Sequence, residues 1–445
     1  MKSLKIWLLV YYYFVKAFIT KTLAKKETTK FDWAAKNLFY STFRIPESER
    51  RNKLLVLNKY IIFIKDILKV KSFNDEIINE NQYSSTYIYD VFSEGIEERI
   101  EYCEYFSKEK IGGAIIKTKL NYSNSFILSI IIILSSIIFL PFVFIASLFE
   151  KDKAPYAMLW KEMIENYQLI KTVKERKITA VYFFCIFEKD ANIATLLLNK
   201  IGIIVNKIPS EVPIAIWNKI IIADKLCVCN GYQFDELTTY KESIFINETE
   251  FWGPELILQN IDKYNKPTPL KKNTIGFYST GSWVRKRENH IDQGIDMETN
   301  EELLKSAIKE FCIMNSDIEL LIFLHPRERW GKYYDEALNK YNSLFSGINY
   351  TIIDKEIKST SSFELVNLGV AFQSTLVYER LYYGFKTLLM PLSYTDFPVQ
   401  NSSMHTICAF SKEELFRKIK NNFQLTNTEF FNSNGINHYA KFIYN

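Results

Sequence analysis

Hydrophobic and polar positions follow three different patterns along the chain. From about 30 to 120, charged stretches such as RNKLLVLNKYIIFIKDILKV repeat their apolar residues every three to four positions, which predicts amphipathic helices. From 126 to 149, the run FILSIIIILSSIIFLPFVFIASLF contains no charge and has no polar face, which predicts insertion into a membrane. Beyond about 155, short apolar runs alternate with helical segments, which predicts parallel sheets covered by helices on both faces.

These patterns divide the chain into four parts. We expect a helical N-terminal region at 1–120 and a membrane-inserted segment at 121–154. Two Rossmann-like domains follow, at 155–262 and 274–445, joined by the lysine- and proline-rich stretch DKYNKPTPLKKN. The predicted fold class is therefore α/β, with two Rossmann-like domains preceded by a helical, membrane-associated region.

The apolar run leaves its topology open. Lysines flank it on both sides, so the charge distribution assigns no orientation, and Pro141 lies inside it. We favour a re-entrant hairpin with both ends in the cytoplasm, or a shallow tilted helix, over a simple span. The N-terminal stretch MKSLKIWLLVYYYFVKAFITKTLAKK mixes lysines with aromatic residues, which indicates an interfacial helix; a soluble packing helix is the alternative.

Composition excludes some classes of protein. Hydrophobic residues make up 48% of the chain, too many for a disordered protein, and the net charge of +5 is too small to indicate a nucleic-acid partner. The mild positive charge suits a protein beside an anionic membrane. Cys227 and Cys229 lack a second ligand pair at zinc-site spacing, so we expect buried thiols in a reducing cytoplasm.

Candidate chemistry lies where three strands of the second domain end, because ligands of open parallel sheets bind beyond the carboxyl ends of the strands. After the strand TIGFY comes a small, hydroxyl-rich loop that lets backbone N–H groups approach a phosphate, followed by a cation. An ordinary surface turn has the same composition. The candidate donor-binding residues here are Ser279, Thr280, Gly281, Ser282 and Arg285, with Arg287 adding charge.

The second strand end carries a histidine. His325 closes the apolar strand IELLIFLH, and Pro326 stops that strand. An imidazole at this position can donate a hydrogen bond to a phosphate or to a departing diphosphate oxygen. Arg327 and Arg329 follow and are expected to balance anionic charge.

The third strand end leads into a helix in VAFQSTLVYERLYYG. Gln373, Ser374 and Thr375 fall between strand and helix, so their side chains and the free N–H groups of the helix point toward one anion. The alternative is a purely structural helix N-cap, and a residue can both cap the helix and contact an anion. Glu379 lies one turn further and is a candidate for a ribose hydroxyl, although a solvated carboxylate is equally consistent.

A strand-His-Pro motif followed about 50 residues later by Ser-Thr at a helix start resembles the bacterial sialyltransferase, polysialyltransferase and capsule Kdo-transferase group. The resemblance covers roughly 274–400. It implies a GT-B fold, transfer from a nucleotide-sugar donor that is often CMP-linked, and contacts of His325, Ser374 and Thr375 with the nucleotide phosphate. The teichoic-acid transferases have a related nucleotide domain.

The resemblance does not reach the first domain, where a catalytic base is expected if the reaction inverts the anomeric centre. Asp190, in FEKDAN, and Glu211, in IPSEVP, follow predicted strands and are the first candidates, although each resembles an ordinary surface carboxylate. The chain contains no D-x-D motif, so we expect neither a metal nor another cofactor. Cations and helix N-termini would hold the diphosphate instead.

The leading hypothesis is a metal-independent glycosyltransferase at the inner face of the cytoplasmic membrane. Its partners would be a nucleotide-sugar donor, a lipid-linked or polysaccharide acceptor and the membrane, with no nucleic acid. Two alternatives remain open: transfer of a polyol phosphate from a CDP-linked donor, and a non-catalytic membrane scaffold that keeps a degenerate Rossmann pair.

Overall fold

A computed structural model shows two compact units in the chain. Unit 1 comprises Met1–Ser210, Trp217–Cys227 and Tyr240–Glu250, and unit 2 comprises Glu211–Ile216, Val228–Thr239 and Phe251–Asn445. The residues that the structure describes are 2–23, 26–39, 51–68, 77–78, 84–90, 96–116, 126–184, 191–209, 220–229, 231–254, 257–260, 264, 269, 273–288, 297–330, 332–372, 374–391 and 403–440.

Unit 1 combines a group of helices with one sheet. Its helices are α1 (Lys2–Leu23), α2 (Lys30–Leu38), α3 (Leu55–Leu68), α4 (Ile96–Ser107), α5 (Phe126–Leu148), α6 (Ala154–Glu175) and α7 (Ala191–Lys200). Its strands are β1 (Ile77–Ile78), β2 (Thr86–Asp90), β3 (Gly112–Ile116), β4 (Ala180–Phe183), β5 (Ile204–Lys207), β6 (Ile221–Val228) and β7 (Ile244–Phe251).

The seven strands of unit 1 lie in the order β1-β3-β2-β4-β5-β6-β7. The pairs from β3 through β6 are parallel, and β1 is antiparallel to β3. Numbered from β2, the five strands β3-β2-β4-β5-β6 therefore have the order 2-1-3-4-5 of a flavodoxin-like sheet, which changes direction between β2 and β4.

The N-terminal region contains the expected helices but also supplies strands β1, β2 and β3 to this sheet, which the sequence analysis did not predict. The segment STYIYD alternates small or polar residues with Tyr and Ile over a short length. Such a run is hard to separate from a helix by periodicity alone. Its partner strand is β4, about 90 residues later, so only the tertiary pairing makes β2 a central strand.

The apolar run forms one continuous helix, α5, which contains Pro141. The expected hairpin is therefore wrong, whereas an unbroken helix agrees with the alternative of a shallow tilted helix. Proline lacks one N–H but does not break the helix here. Two helices, Ser3–Leu23 and Ile127–Leu148, are long and apolar enough to cross a membrane, a test that core helices also pass.

Unit 2 carries the second sheet. Its helices are α8 (Gly231–Thr239), α9 (Ile257–Asn260), α10 (Ser282–Arg287), α11 (Met297–Met314), α12 (Pro326–Arg329), α13 (Tyr334–Leu344), α14 (Thr375–Tyr382), α15 (Lys412–Asn422) and α16 (Asn427–Asn434). Its strands are β8 (Thr274–Tyr278), β9 (Glu319–Phe323), β10 (Tyr350–Ile352), β11 (Leu368–Ala371) and β12 (Thr387–Leu389).

All five strands of unit 2 are parallel, in the order β10-β9-β8-β11-β12. Strands β8 and β11 are buried along their whole lengths, which explains their continuous apolar sequences. The segment SSFELVNLG forms the end of the 3-10 helix Ser359–Leu365 and the start of β11, with Ser362 in a non-helical conformation.

The predicted fold class is confirmed: the chain is α/β, with two Rossmann-like sheets of mainly parallel strands that follow N-terminal helices in the sequence. The expected burial of Cys227 and Cys229 is also confirmed, and among the described residues neither forms a disulfide.

Candidate functional site

The strand order of unit 2 determines where a ligand crevice can form. Numbered from β8, the five strands have the order 3-2-1-4-5, so the chain turns in opposite directions after β8 and after β11. Ligands of such sheets bind outside the carboxyl ends of the strands at this switch point. The loop 279–281 follows β8, Ser374 follows β11 and His325 follows β9, on the other side of β8. The tertiary structure thus brings the three predicted loops to one edge of the sheet.

A buried carboxylate holds the loop after β8. Glu301, on α11, accepts hydrogen bonds from the backbone N–H of Thr280 at 2.6 Å, from the Thr280 hydroxyl at 2.9 Å and from the Ser282 hydroxyl. Its charge is balanced by the Lys305 ammonium at 3.6 Å, and both side chains are fully buried. Burial alone would raise the pKa of Glu301, but Lys305 and the hydroxyl and amide donors hold the pKa of that carboxyl below its usual value.

The loop turns at Gly281, where the backbone adopts φ +62° and caps α10. A Cβ atom at this position would lie 2.9 Å from Nδ1 of His325. The glycine therefore provides a left-handed turn and also lets the loop contact the imidazole ring. This contact joins the first predicted loop to the second.

His325 has a fixed tautomer. Its Nδ1 accepts a hydrogen bond from the backbone N–H of Arg327 at 3.2 Å, capping α12, so the ring proton of the neutral imidazole is on Nε2. Burial, together with the positive charges of Arg285 and Arg327, lowers the pKa of His325 to about 3. The side chain is therefore neutral at pH 7 and can donate through Nε2. No hydrogen bond from Nε2 to another residue is found within the described part of the chain.

A second buried carboxylate supports the histidine from behind. Glu328 accepts from the backbone N–H of His325 at 2.9 Å and from the Trp283 indole at 2.5 Å, and lies 3.1 Å from the Tyr341 hydroxyl. Tyr341 also lies 2.9 Å from the Ser279 hydroxyl. Burial and the neighbouring Glu301 raise the pKa of Glu328. The carboxyl groups of Glu301 and Glu328 thus both bind partners inside the protein and are not directed at a ligand.

Sequence reasoning missed these supporting residues, Glu301, Lys305, Glu328 and Tyr341. Two signals were present in the chain. Glu301 and Lys305 are four residues apart, on the same side of α11 as the buried Leu304 and Ile308. A charged pair on an apolar helix face predicts that both side chains are buried and bind a further polar group inside the protein. Glu328 stands three residues after His325, which is the spacing of a capping box.

The arginines near these loops have different roles. Arg285 Nε donates to the Thr280 carbonyl at 3.2 Å, and Arg327 pairs with Glu288 at 2.6 Å at the surface. Arg287 makes a bidentate pair with Glu336. Arg329 is buried and donates to the carbonyls of Lys355 and Ile357, so the expectation that it balances ligand charge is wrong. The preceding strand directs His325 outward, whereas Arg329, one helical turn on, points into the protein.

The loop after β11 is partly described. Ser374 is the N-cap of α14 but makes no side-chain capping hydrogen bond, and Ser374, Thr375 and Glu379 are each half-buried. Gln373 lies outside the described residues. Neighbouring strands are about 4.8 Å apart, so the ends of β9 and β11 lie about 10 Å apart across β8.

The two candidate bases, Asp190 and Glu211, both lie outside the residues that the structure describes. Among the described residues, no group of three His, Cys, Asp or Glu side chains could hold a metal ion. The prediction of a metal-independent reaction therefore stays a prediction.

Comparison with known proteins yields structures but no family. No family model and no curated protein match the chain. Among solved structures, it is similar to the UDP complex of S. aureus MnaA (11% identity, TM-score 0.46, 80% of this chain and 92% of that one). It is also similar to Methanocaldococcus jannaschii UDP-GlcNAc 2-epimerase with UDP-GlcNAc and UDP (14%, 0.42, 79% and 97%) and to Acinetobacter baumannii MurG (11%, 0.42, 80% and 94%). With TM-scores below 0.5, these similarities do not identify an activity.

Proposed function

We propose that this protein is a glycosyltransferase that binds the phosphate of a nucleotide-sugar donor at the switch point of the unit 2 sheet. The observation that carries the proposal is the neutral His325, whose Nε2–H is available to a ligand beside the Gly281 loop. This N–H group can stabilise a phosphate oxygen that gains negative charge as the sugar leaves, because the hydrogen bond strengthens as that charge grows.

The surroundings of His325 favour an anion. Arg285 and Arg327 are close enough to lower its pKa, and the first turn of α14 offers further backbone N–H groups. The buried Glu301 is paired with Lys305, and the buried Glu328 accepts hydrogen bonds inside the protein, so neither carboxyl group is directed at a bound phosphate. The resemblance to sialyl- and Kdo-transferases makes CMP-linked sugars the first donors to test.

In this proposal the catalytic base comes from the predicted first Rossmann-like domain, 155–262. An inverting transfer requires a group that removes the acceptor proton, and Asp190 and Glu211 remain the candidates. The acceptor would be a lipid-linked or surface polysaccharide. The enzyme would work at the inner face of the cytoplasmic membrane, where a lipid-linked acceptor and a cytoplasmic nucleotide sugar can meet.

The test is a donor screen with the full-length protein. CMP-, UDP-, GDP- and CDP-linked donors are incubated with the wild type and with His325→Ala, and binding, hydrolysis and products are followed by mass spectrometry. Losing a charge-assisted hydrogen bond worth about 1.5–3 kcal/mol should reduce transfer roughly 10- to 100-fold. His405→Ala removes an exposed histidine of the same unit and should leave activity unchanged.

The outcomes separate the alternatives. Release of CMP with retention of a polyol phosphate on the product would identify phosphotransfer from a CDP-linked donor. No binding of any nucleotide by the wild type would favour the scaffold. Activity of His325→Ala within twofold of wild type would remove His325 from the site.

A further inference from the structure

Helix α5 carries its polar groups on the protein side and its apolar groups on the outside. Every solvent-exposed side chain of Ile127–Leu148 is apolar. Six of them form a stripe at intervals of three or four residues, with exposed fractions between 39% and 69%: Ile127, Ile130, Leu134, Ile138, Phe142 and Ile145. A surface helix of a soluble protein has the opposite pattern, so this stripe faces something other than water.

The inner side of α5 is bound firmly to unit 1. The Trp7 indole donates to the Ser135 hydroxyl at 3.1 Å, and the Tyr11 hydroxyl donates to the Ser135 carbonyl at 3.1 Å. On the α3 side, the hydroxyls of Tyr60 and Ser136 are 3.0 Å apart and buried. Helix α5 is therefore part of the body of unit 1 and does not project from it as an isolated anchor.

Two of the helices that pack against α5, α1 and α3, also expose apolar side chains. Helix α1 exposes Leu8 and Tyr12 by 50% and 57%, and α3 exposes Ile61 and Ile62 by about half. We call these four residues and the stripe on α5 the apolar face. Helix α1 also contains four lysines and no carboxylate, and Lys5 and Lys16 are exposed on it. An apolar surface bordered by lysines is complementary to anionic lipid headgroups.

We propose that the apolar face lies in one leaflet of an anionic phospholipid bilayer, with α5 in the plane of the interface. This inference rests on the membrane location proposed above and specifies how the protein attaches. It requires neither a transmembrane passage nor the removal of α5 from unit 1.

A spanning α5 conflicts with its neighbours. If α5 crossed the bilayer, Ser136 would lie near the midplane and would bring Tyr60 of α3 with it. Lys65 and Asp66 are exposed on α3, about 8 and 9 Å beyond Tyr60 along the helix. Both would then lie inside the hydrocarbon, which extends about 15 Å from the midplane, where charged side chains are strongly disfavoured.

A second copy of the chain is a poorer occupant. A symmetric dimer would place the same face of both copies together, and α1, which has four lysines and no carboxylate, would contribute no counter-charge to that interface. Anionic headgroups supply this counter-charge directly. The charge therefore favours lipid.

The first experiment is vesicle flotation of the full-length protein. Wild type should float with vesicles of phosphatidylethanolamine and phosphatidylglycerol, and less with phosphatidylcholine alone. Ile138→Glu combined with Phe142→Glu should lower the floated fraction about tenfold or more, because both side chains leave water in the bound state. The matched control, Ile313→Glu with Met314→Glu, changes residues of similar exposure in unit 2 and should float like wild type.

The second experiment measures depth and sidedness. A fluorophore is attached to Ile127→Cys, Ile138→Cys or Leu148→Cys and quenched by lipids labelled at different depths. The described native cysteines are buried. All three positions should report the same shallow depth and be accessible from one side.

The outcomes of these experiments distinguish the in-plane arrangement of α5 from the alternatives. Access to positions 127 and 148 from opposite sides would overturn the in-plane arrangement while leaving the membrane location standing. Failure of wild type to float would overturn both, and a dimer dissociated by the two glutamates would show that a second copy covers the face. Nucleotide binding by the glutamate variant, measured in parallel, confirms that it is folded.

Discussion

Gly281 and Gly435 share a backbone conformation but differ in surroundings. Both are left-handed, with φ +62° and +64°. A Cβ at position 281 would meet the His325 ring at 2.9 Å, whereas a Cβ at position 435 would have nothing within 4 Å. Comparing alanine substitutions at these two glycines therefore separates the free-energy cost of the left-handed backbone from that of the contact with His325.

We predict that Gly281→Ala lowers the free energy of unfolding by more than Gly435→Ala and weakens donor binding, while Gly435→Ala does not affect the donor. The strain of a left-handed alanine is about 1–2 kcal/mol in both variants. Chemical denaturation and calorimetric titration of the donor would measure the two effects. Equal stability losses and unchanged donor affinity would show that the contact with His325 has no role.

The pKa of His325 makes stability depend on pH. It is about 3 in the folded protein, against an ordinary value of 6.5, so between these values the unfolded chain binds a proton that the folded protein does not. The contribution of His325 to the free energy of unfolding is therefore fully present above about pH 6.5 and decreases as the pH falls toward 3. Between about pH 6.5 and 5 this contribution is at most about 2 kcal/mol.

We expect His325→Asn to lose less stability than wild type over that range. The asparagine oxygen can replace Nδ1 as the acceptor of the helix cap but does not titrate. Unfolding midpoints of both proteins across the range are the measurement, and other titrating groups cancel in the difference. Parallel pH profiles would show that the histidine is not held neutral.

At the scale of elements, α11 positions the loop that follows β8. Glu301 makes the contacts to Thr280 and Ser282, and Lys305 balances its charge out of contact with water. Glu302, the next residue, pairs with the same lysine at 3.1 Å but is 37% exposed. These adjacent glutamates provide a buried and an exposed partner for one ammonium group.

We predict that Glu301→Gln costs about 3–5 kcal/mol, because it leaves a buried lysine short of charge compensation. Glu302→Gln should cost less than about 1 kcal/mol, as exposed pairs contribute little. Denaturation and the donor KM would be measured for both. If Glu301→Gln remains folded, its KM should rise while that of Glu302→Gln stays constant; matching values would mean that α11 does not position the loop.

At the scale of the whole molecule, we expect transfer to continue in excess EDTA. In the proposed site, Arg285 and Arg327 lie near the His325 ring and would share the binding of the donor phosphate with its Nε2–H and the helix N–H groups, and the chain has no D-x-D motif. Initial rates with EDTA, and with Mg²⁺ added back, are the measurement. Loss of activity that Mg²⁺ restores would contradict a metal-free mechanism.

The sequence predicted most of what depends on local pattern. Strands β8, β9 and β11 are buried runs whose ends are marked by Ser279, His325 and Ser374, because apolar periodicity and strand-stopping residues act within a few positions. The failures have the same cause, because a local pattern does not show tertiary contacts. The short β2 and its neighbouring strands have a weak periodic pattern. Arg327 and Arg329 are equivalent in the sequence, and only the fold shows that Arg329 is buried.

The sequence by itself determined the fold class, the apolar character of α5 and the residues at the strand ends, since each follows from short-range composition. The tertiary structure alone decided that β8 lies between β9 and β11, which brings the three loops to one switch point. It also decided that Glu301 reaches back 21 residues to Thr280, and that α5 turns Ser135 and Ser136 inward. Such choices depend on partners distant in the chain, because burial of charges and hydroxyls is stable only where the fold supplies the matching group.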